Sequence, residues 1–210
     1  MPAFLDPAET VLLVIDLQKG FCHPDSAMGR ANGVGPQRRI LPRVARLVAD
    51  CRARGVAVAW TKQIHFPEDA TRARRRTSSH ADKQGFLPCL RGTGETDFDE
   101  AIAGSVRPED HVIDKHRASP FFDTTLPTKL RMLGTRALII AGCNTEYCVE
   151  STVRDAYARD FELVVVSDCV AGIRADFHRD SLRKFAAYFA VVTPRSGLGK
   201  LFVRRRPRAR

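Results

Sequence analysis

An acid, an amine and a thiol, Asp16, Lys115 and Cys148, stand at or just beyond the ends of three β-branched, apolar runs: VLLVID (11–16), HVIDK (111–115) and ALIIAG (137–142). If these runs are parallel strands of one sheet, their carboxyl ends and crossover loops converge on one edge, where open parallel sheets bind ligands. The three groups suffice for nucleophilic acyl transfer. The carboxylate takes the thiol proton, the ammonium offsets the charges that form, and the thiolate attacks a carbonyl carbon. Each residue also has a plainer reading: a strand-end aspartate commonly caps a turn, and a lone lysine is commonly solvated. Asp168, closing ELVVVSD (162–168), is a further strand-end acid.

Cys148 carries the strongest single signal. In GCNTEYCVESTVRDAY (142–157), Asn144 or Thr145 can cap a helix whose first turn contains Cys148. Free backbone N–H groups and the helix dipole favour a thiolate there. Val149, Val153, Ala156 and Tyr157 continue as a buried stripe, with Glu150 and Arg154 at i, i+4 on the wet side. The other cysteines, Cys22, Cys51, Cys89, Cys143 and Cys169, are scattered without a CxxC pair, so free thiols are expected. Cys51, Cys143 and Cys169 fit as small buried hydrophobes.

The elements that must position these groups are legible as alternation. VAVAWT (56–61), ELVVVSD (162–168) and AVVTP (190–194) complete six strand-like runs, separated by helical patterns. That order predicts an α/β fold with a parallel sheet covered by helices on both faces. Ile40, Val44, Leu47, Val48 and Cys51 mark one helix, with Pro42 in an early turn and Gly55 as its stop. Leu126, Leu130 and Leu133 mark another, and Phe177, Leu182, Phe185 and Phe189 the last. Residues 64–99 have no period and are expected to form a loop over the site.

A chain of 210 residues, 44% hydrophobic, supports a single domain, placed at 1–203 with a basic tail at 204–210. Five of the ten net positive charges sit in that tail and four in TRARRRT (71–77), so the body carries only +1. A nucleic-acid partner is therefore not expected. No apolar run reaches the roughly 20 residues of a membrane span, and the first residues lack a basic start, so a cytoplasmic protein without a membrane partner is expected.

The segments VLLVIDLQKGF, DKHRASPFFDTTL and AGCNTEYCVESTVRDAYARDFELVVVSDCVAG, in this order within about 10–194, resemble the isochorismatase-like cysteine hydrolases. That family includes nicotinamidases, N-carbamoylsarcosine amidase, ureidoacrylate amidohydrolases and biuret hydrolase. The resemblance implies a three-layer α/β/α, doubly wound, mostly parallel six-stranded sheet. It places a catalytic triad on Asp16, Lys115 and Cys148, a cis peptide between Cys143 and Asn144, and an oxyanion hole made by the N–H groups of Asn144 and Cys148. A homo-oligomer, dimer or tetramer, is expected.

The subtypes divide at metal and nucleophile. Nicotinamidases carry a DxH element after the second strand that helps bind a divalent metal. Here TKQIHFPE puts Gln63 in place of the aspartate, leaving His65 and a distant His80. Glutamine is a poor zinc ligand, so neither metal nor cofactor is expected. Isochorismatases are similar at Gln63 and KHRASPFF but lack a cysteine nucleophile. NTEYCVESTVRDAY together with KHRASPFF is most similar to the ureido and carbamoyl hydrolases. The resemblance thus implies C–N cleavage of a small linear amide, ureido or N-carbamoyl substrate through a thioester. Gln63 is assigned to substrate binding, with Arg117 as a fork for a substrate carboxylate or a surface arginine. Phe21, Phe121, Phe122 and Tyr147 are assigned to the pocket wall or, equally, to the core. Nicotinamidase-type or isochorismatase-type hydrolysis, an inactive scaffold and a polyanion-binding tail are the alternatives.

Overall fold

Every residue of strand β1, Thr10–Ile15, is buried, a pattern that only a central strand covered on both faces adopts. In the computed structural model, which describes residues 2–67, 76–78 and 80–203, β1 lies inside one six-stranded parallel sheet. The strands β2 (Ala57–Gln63), β3 (His111–Lys115), β4 (Ala137–Cys143), β5 (Glu162–Ala171) and β6 (Val191–Thr193) complete it in the order β3-β2-β1-β4-β5-β6. Arg72, Arg74, Arg75 and the tail 204–210 lie outside the described residues, as does the side chain of His80.

The period of two along β1 divides the core. Leu12 and Val14 join the cluster under helix α1 (Gly35–Ala53), which contributes Ile40, Val44, Leu47, Val48 and Cys51. Val11, Leu13 and Ile15 join the opposite cluster, with Leu126 and Leu130 of α2 (Leu126–Met132) and Val153 and Ala156 of α3 (Glu150–Tyr157). Each such aliphatic side chain contributes about 2 kcal/mol by leaving water. The final helix, α4 (Ala175–Lys184), is tied to α3 through Glu150, whose carboxylate accepts from Ser181 at 2.6 Å and from Lys184 at 2.8 Å.

Several boundaries differ from the sequence reading. Helix α1 begins at Gly35 with Pro36 in its first turn, so Pro42 sits inside the helix as its eighth residue. The hydrogen bond that Pro42 cannot donate is outweighed by the apolar stripe on either side of it. Strand β5 runs past Asp168 to Ala171, because a register shift opposite Ile140 and Gly142 lets it bulge and resume. Asp168 then accepts from the Arg195 N–H at 2.7 Å. Tyr157 is half exposed against the Phe189 ring, and Thr152 takes the buried place expected of it. Phe177 is likewise exposed, leaving Phe185 as the fully buried aromatic of the last helical stretch.

β1 and β4 are adjacent, and the chain leaves them in opposite directions across the sheet, which opens a crevice beyond their carboxyl ends. Gly142 permits the approach: its φ is +116°, and a Cβ there would lie 2.1 Å from the Ile15 carbonyl oxygen.

Candidate active site

Asp16 follows β1 in the left-handed region, φ +53°, which aspartate tolerates better than most residues. Its Oδ1 accepts from the Thr61 hydroxyl at 2.6 Å, and that hydroxyl oxygen accepts from the Asp16 N–H at 3.2 Å. Lys115 ends the edge strand β3, paired in register with Gln63 of β2. Its side chain reaches over β2, so that Nζ lies 2.7 Å from Asp16 Oδ2 and 3.5 Å from Cys148 Sγ. Nζ also donates to Gln63 Oε1 at 2.7 Å and to the Arg117 carbonyl at 3.1 Å.

Both members of the Lys115–Asp16 pair are fully buried. Removing an ion from water costs several kcal/mol, which is offset only where geometry and hydrogen bonds are complete. Burial alone would lower the Lys115 pKa, but the Asp16 carboxylate and Cys148 outweigh it and raise it above the ordinary value. Burial pushes the Cys148 thiol up to about 12, with Asp16 pushing the same way and Lys115 opposing. Dehydration thus works against the thiolate that the helix start favours, and one already neutralised ammonium does not offset it.

Cys148 stands in a wide π-type turn, Thr145–Val149, that joins β4 to α3. The Cys143–Asn144 peptide is cis. Asn144 occupies the cap position without capping. Its side-chain oxygen instead accepts from Gln37 of α1 at 2.8 Å, a contact across 107 residues of sequence. The same Gln37 amide donates to the Gly172 carbonyl at 3.1 Å. Glu146 accepts from the N–H groups of Ile173 and Arg174, at 2.7 and 3.0 Å, and His178 Nδ1 lies 2.9 Å from the Thr145 hydroxyl. A Cβ on Gly172 would lie 2.2 Å from Glu146 Oε2, so any larger residue there would displace the Glu146 carboxylate. The turn bearing Cys148 is thus fixed from α1, from the 172–174 segment and from α4.

A small cleft opens onto Cys148. Its apolar walls are Phe21, Met28, Phe86, Pro88, Tyr147 and Ile173, and its polar members are Gln63, Gln84, His65 and Asn144. Phe86, Pro88 and Gln84 come from the expected loop over the site. His65 Nδ1 lies 2.5 Å from the Pro88 carbonyl, and Gln18 fastens β2 to the same loop by donating to the carbonyls of Gln63 and Thr96 at 3.0 and 2.9 Å. Among the described residues, no three His, Cys, Asp or Glu side chains form a group that could hold a metal ion.

Cys148, Asn144, Gln63, Phe21 and Tyr147 line the cleft, Asp16 and Lys115 stand behind Cys148 through the Lys115 ammonium, and Arg117, Phe121 and Phe122 are not among the lining residues. Phe121 packs in the core with α2 and α3. Phe122 is 58% exposed, with the Arg117 guanidinium 5.9 Å from its ring centre. Sequence reasoning passed over Gln37, Glu146, Gln18 and Thr61. Gln37 did leave a signal, as a glutamine on the buried stripe of α1.

The sequence model for the isochorismatase domain matches residues 10–196. The chain is 33% identical over 208 residues to ureidoacrylate amidohydrolase RutB of Methylobacterium radiotolerans, covering 91% of this chain and 79% of that protein. It is 33% identical over 172 residues to an Arabidopsis thaliana protein named a probable inactive nicotinamidase, covering 80% of this chain and 84% of that one. Among solved structures, a cysteine hydrolase from Pseudomonas syringae pv. phaseolicola is similar with a TM-score of 0.81 at 26% identity over 94% of both chains.

Proposed function

The chain belongs to the isochorismatase family of hydrolases, and within it we propose a cysteine-dependent amidohydrolase that opens a C–N bond of a small amide, ureido or N-carbamoyl compound through a thioester. One observation carries the reading: a buried ammonium touches both a carboxylate, at 2.7 Å, and a thiol, at 3.5 Å, at the switch point of the sheet. The named amidohydrolase relative supports the reaction class.

In this mechanism the Cys148 thiol passes its proton to Asp16 as Sγ bonds to the substrate carbonyl carbon. Coupling proton loss to attack avoids forming a free buried thiolate. The N–H groups of Asn144 and Cys148 receive the oxyanion, each such donor being worth about 3 kcal/mol in the transition state. Asp16 then returns the proton to the departing amine, leaving an acyl group on Cys148. Water, deprotonated by Asp16, hydrolyses the thioester and restores the thiol. Lys115 holds the carboxylate in place at 2.7 Å, while Gln63 Oε1 accepts from the same ammonium at 2.7 Å. The proposal includes a cytoplasmic homo-oligomer. Among the described residues, no helix is long and apolar enough to cross a membrane.

An ammonia-release screen over ureido acids, carbamoyl amino acids, biuret, maleamate and nicotinamide tests the reaction class. On whichever compound is hydrolysed, Cys148→Ala is expected to abolish turnover with an unchanged thermal midpoint, whereas Cys143→Ala and Cys169→Ala stay active. More than a few per cent of residual activity in Cys148→Ala would remove covalent catalysis. The inactive-scaffold alternative has its own support in the Arabidopsis relative's name, and a folded chain without turnover on any compound would favour it.

A further inference from the structure

Resting on the amidohydrolase reading, we infer that Glu95 is a positioning residue that fixes the width of the cleft over Cys148 and so selects the size of the acyl group that reaches the thiol. Its carboxylate bridges two wall segments far apart in sequence. Oε1 accepts from the Ala27 N–H at 2.7 Å, and Oε2 from the Cys89 N–H at 3.0 Å. Met28, the residue after Ala27, and Pro88, the residue before Cys89, both line the cleft.

Each tether seats a wall. Ala27 opens the short helix Ala27–Asn32, on which Met28 is fully buried. Cys89 is in the left-handed region, φ +54°, which a residue with a side chain adopts only where its surroundings hold it. Glu95 holds its N–H, and its carbonyl accepts from the His65 N–H at 3.0 Å. Against its other side stands Gly20, where a Cβ would lie 2.5 Å from Cys89 Sγ and 2.7 Å from the Cys89 nitrogen. Gly20 precedes Phe21, a third wall residue. Glu95 itself is carried on the tight turn Gly94–Thr96, capped by the Thr93 hydroxyl 3.3 Å from the Glu95 N–H. Gln18 ties that turn to the end of β1 through the Thr96 carbonyl, at 2.9 Å. The spacing of Met28, Pro88 and Phe21 is thereby referred to the sheet.

Both partners of Glu95 are donors, so each of its oxygens must accept. Glutamine has the same shape but turns one acceptor into an NH2 group facing another N–H. One tether must then open, and the wall it held moves away. The reacting groups have supports of their own: Thr61 for Asp16, and Gln63 and the Arg117 carbonyl for Lys115. Asn144 Nδ2 lies 3.8 Å from Met28 Sδ, but its side chain is also held through Oδ1 by Gln37. Widening the cleft therefore leaves the chemistry in place.

Two measurements on the native protein and Glu95→Gln test the inference. In the first, ammonia release gives kcat/KM for propanamide against 3-phenylpropanamide and for ethylurea against 2-phenylethylurea. The ratio within each pair is expected to shift about tenfold toward the larger member, the scale of one hydrogen bond, with kcat on the smaller kept within about twofold. Equal loss of kcat on both members would mean a merely structural role and overturns the inference. In the second, Cys148 is alkylated with iodoacetamide or the bulkier iodoacetanilide and followed by peptide mapping, with glutathione as free-thiol reference. The relative rate of iodoacetanilide is expected to rise about tenfold in the variant. An unchanged ratio in either measurement overturns the inference, as does a Cys148 that neither reagent modifies in either protein. If no compound is hydrolysed while the alkylation ratio shifts, the amidohydrolase reading fails and the role of Glu95 stands. Should Glu95→Gln not fold, Thr93→Val, which removes the exposed cap of the same turn, decides by the same outcomes with a shift of about threefold.

Discussion

Cys148 and Lys115 make opposite demands on their surroundings, and the fold meets both by keeping protons on them. The thiols of Cys51, Cys148 and Cys169 are each pushed by burial from 9.0 up to about 12. A folded-state pKa above the unfolded one means that stability is complete below pH 9 and is lost as pH rises toward 12, on the order of 1 kcal/mol per thiol per pH unit. Lys115 acts in the same direction. Its raised pKa keeps the ion pair's contribution below about 10.5 and surrenders it above. The thermal midpoint is therefore expected to fall by several degrees between pH 8 and pH 10.5, and a flat or rising midpoint by calorimetry would contradict this account. At this scale, residue type was the readable part. Asp16, Lys115 and Cys148 announce themselves because few other combinations at strand ends do chemistry. The direction of a side chain is not readable in the same way. Phe121 and Phe122 are neighbours of one type, yet one is in the core and the other in water.

Helix α1 is more than a cover for the sheet, because its Gln37 grips both Asn144 and the Gly172 carbonyl. Gln37→Leu keeps the helix and the buried volume but strands two acceptors, each costing roughly 1–3 kcal/mol. Since Gln37 acts through the Asn144 peptide and does not line the cleft, it is a positioning residue. The variant is expected to lose about tenfold in kcat with KM nearly unchanged, which steady-state kinetics on the screened substrate reads directly. A parallel loss in KM would assign Gln37 to substrate binding instead. The strands were legible to within a few residues, since β-branched runs flanked by turns leave little choice. The errors fell where tertiary contacts overrule local signals: Pro42 inside α1, the bulge carrying β5 beyond Asp168, and the wide turns at Thr145–Val149 and Phe185–Phe189. No local pattern encodes a π-type turn, which survives only because packing on both sides demands the extra residue.

Across the whole chain, charge and chemistry are segregated. The near-neutral body holds every residue assigned to the reaction, while the arginines of 204–210 follow the described residues in sequence. Removing 204–210 is expected to leave kcat/KM unchanged, and to flatten the salt dependence of any polyanion binding measured by anisotropy. Loss of hydrolysis by a folded truncated chain would place the tail at an active site. The order of the sheet carries a different consequence. Lys115, whose ammonium pairs with the buried carboxylate, is supplied by β3, which among the described residues has a ladder partner on one side only and shows Val112 to water. Peripheral strands of this kind detach at lower free energy than the centre of a sheet. Turnover then becomes a gauge of whether the outermost strand is seated: in a urea titration, activity should fade reversibly before the far-ultraviolet circular dichroism of the remaining sheet and helices begins to change.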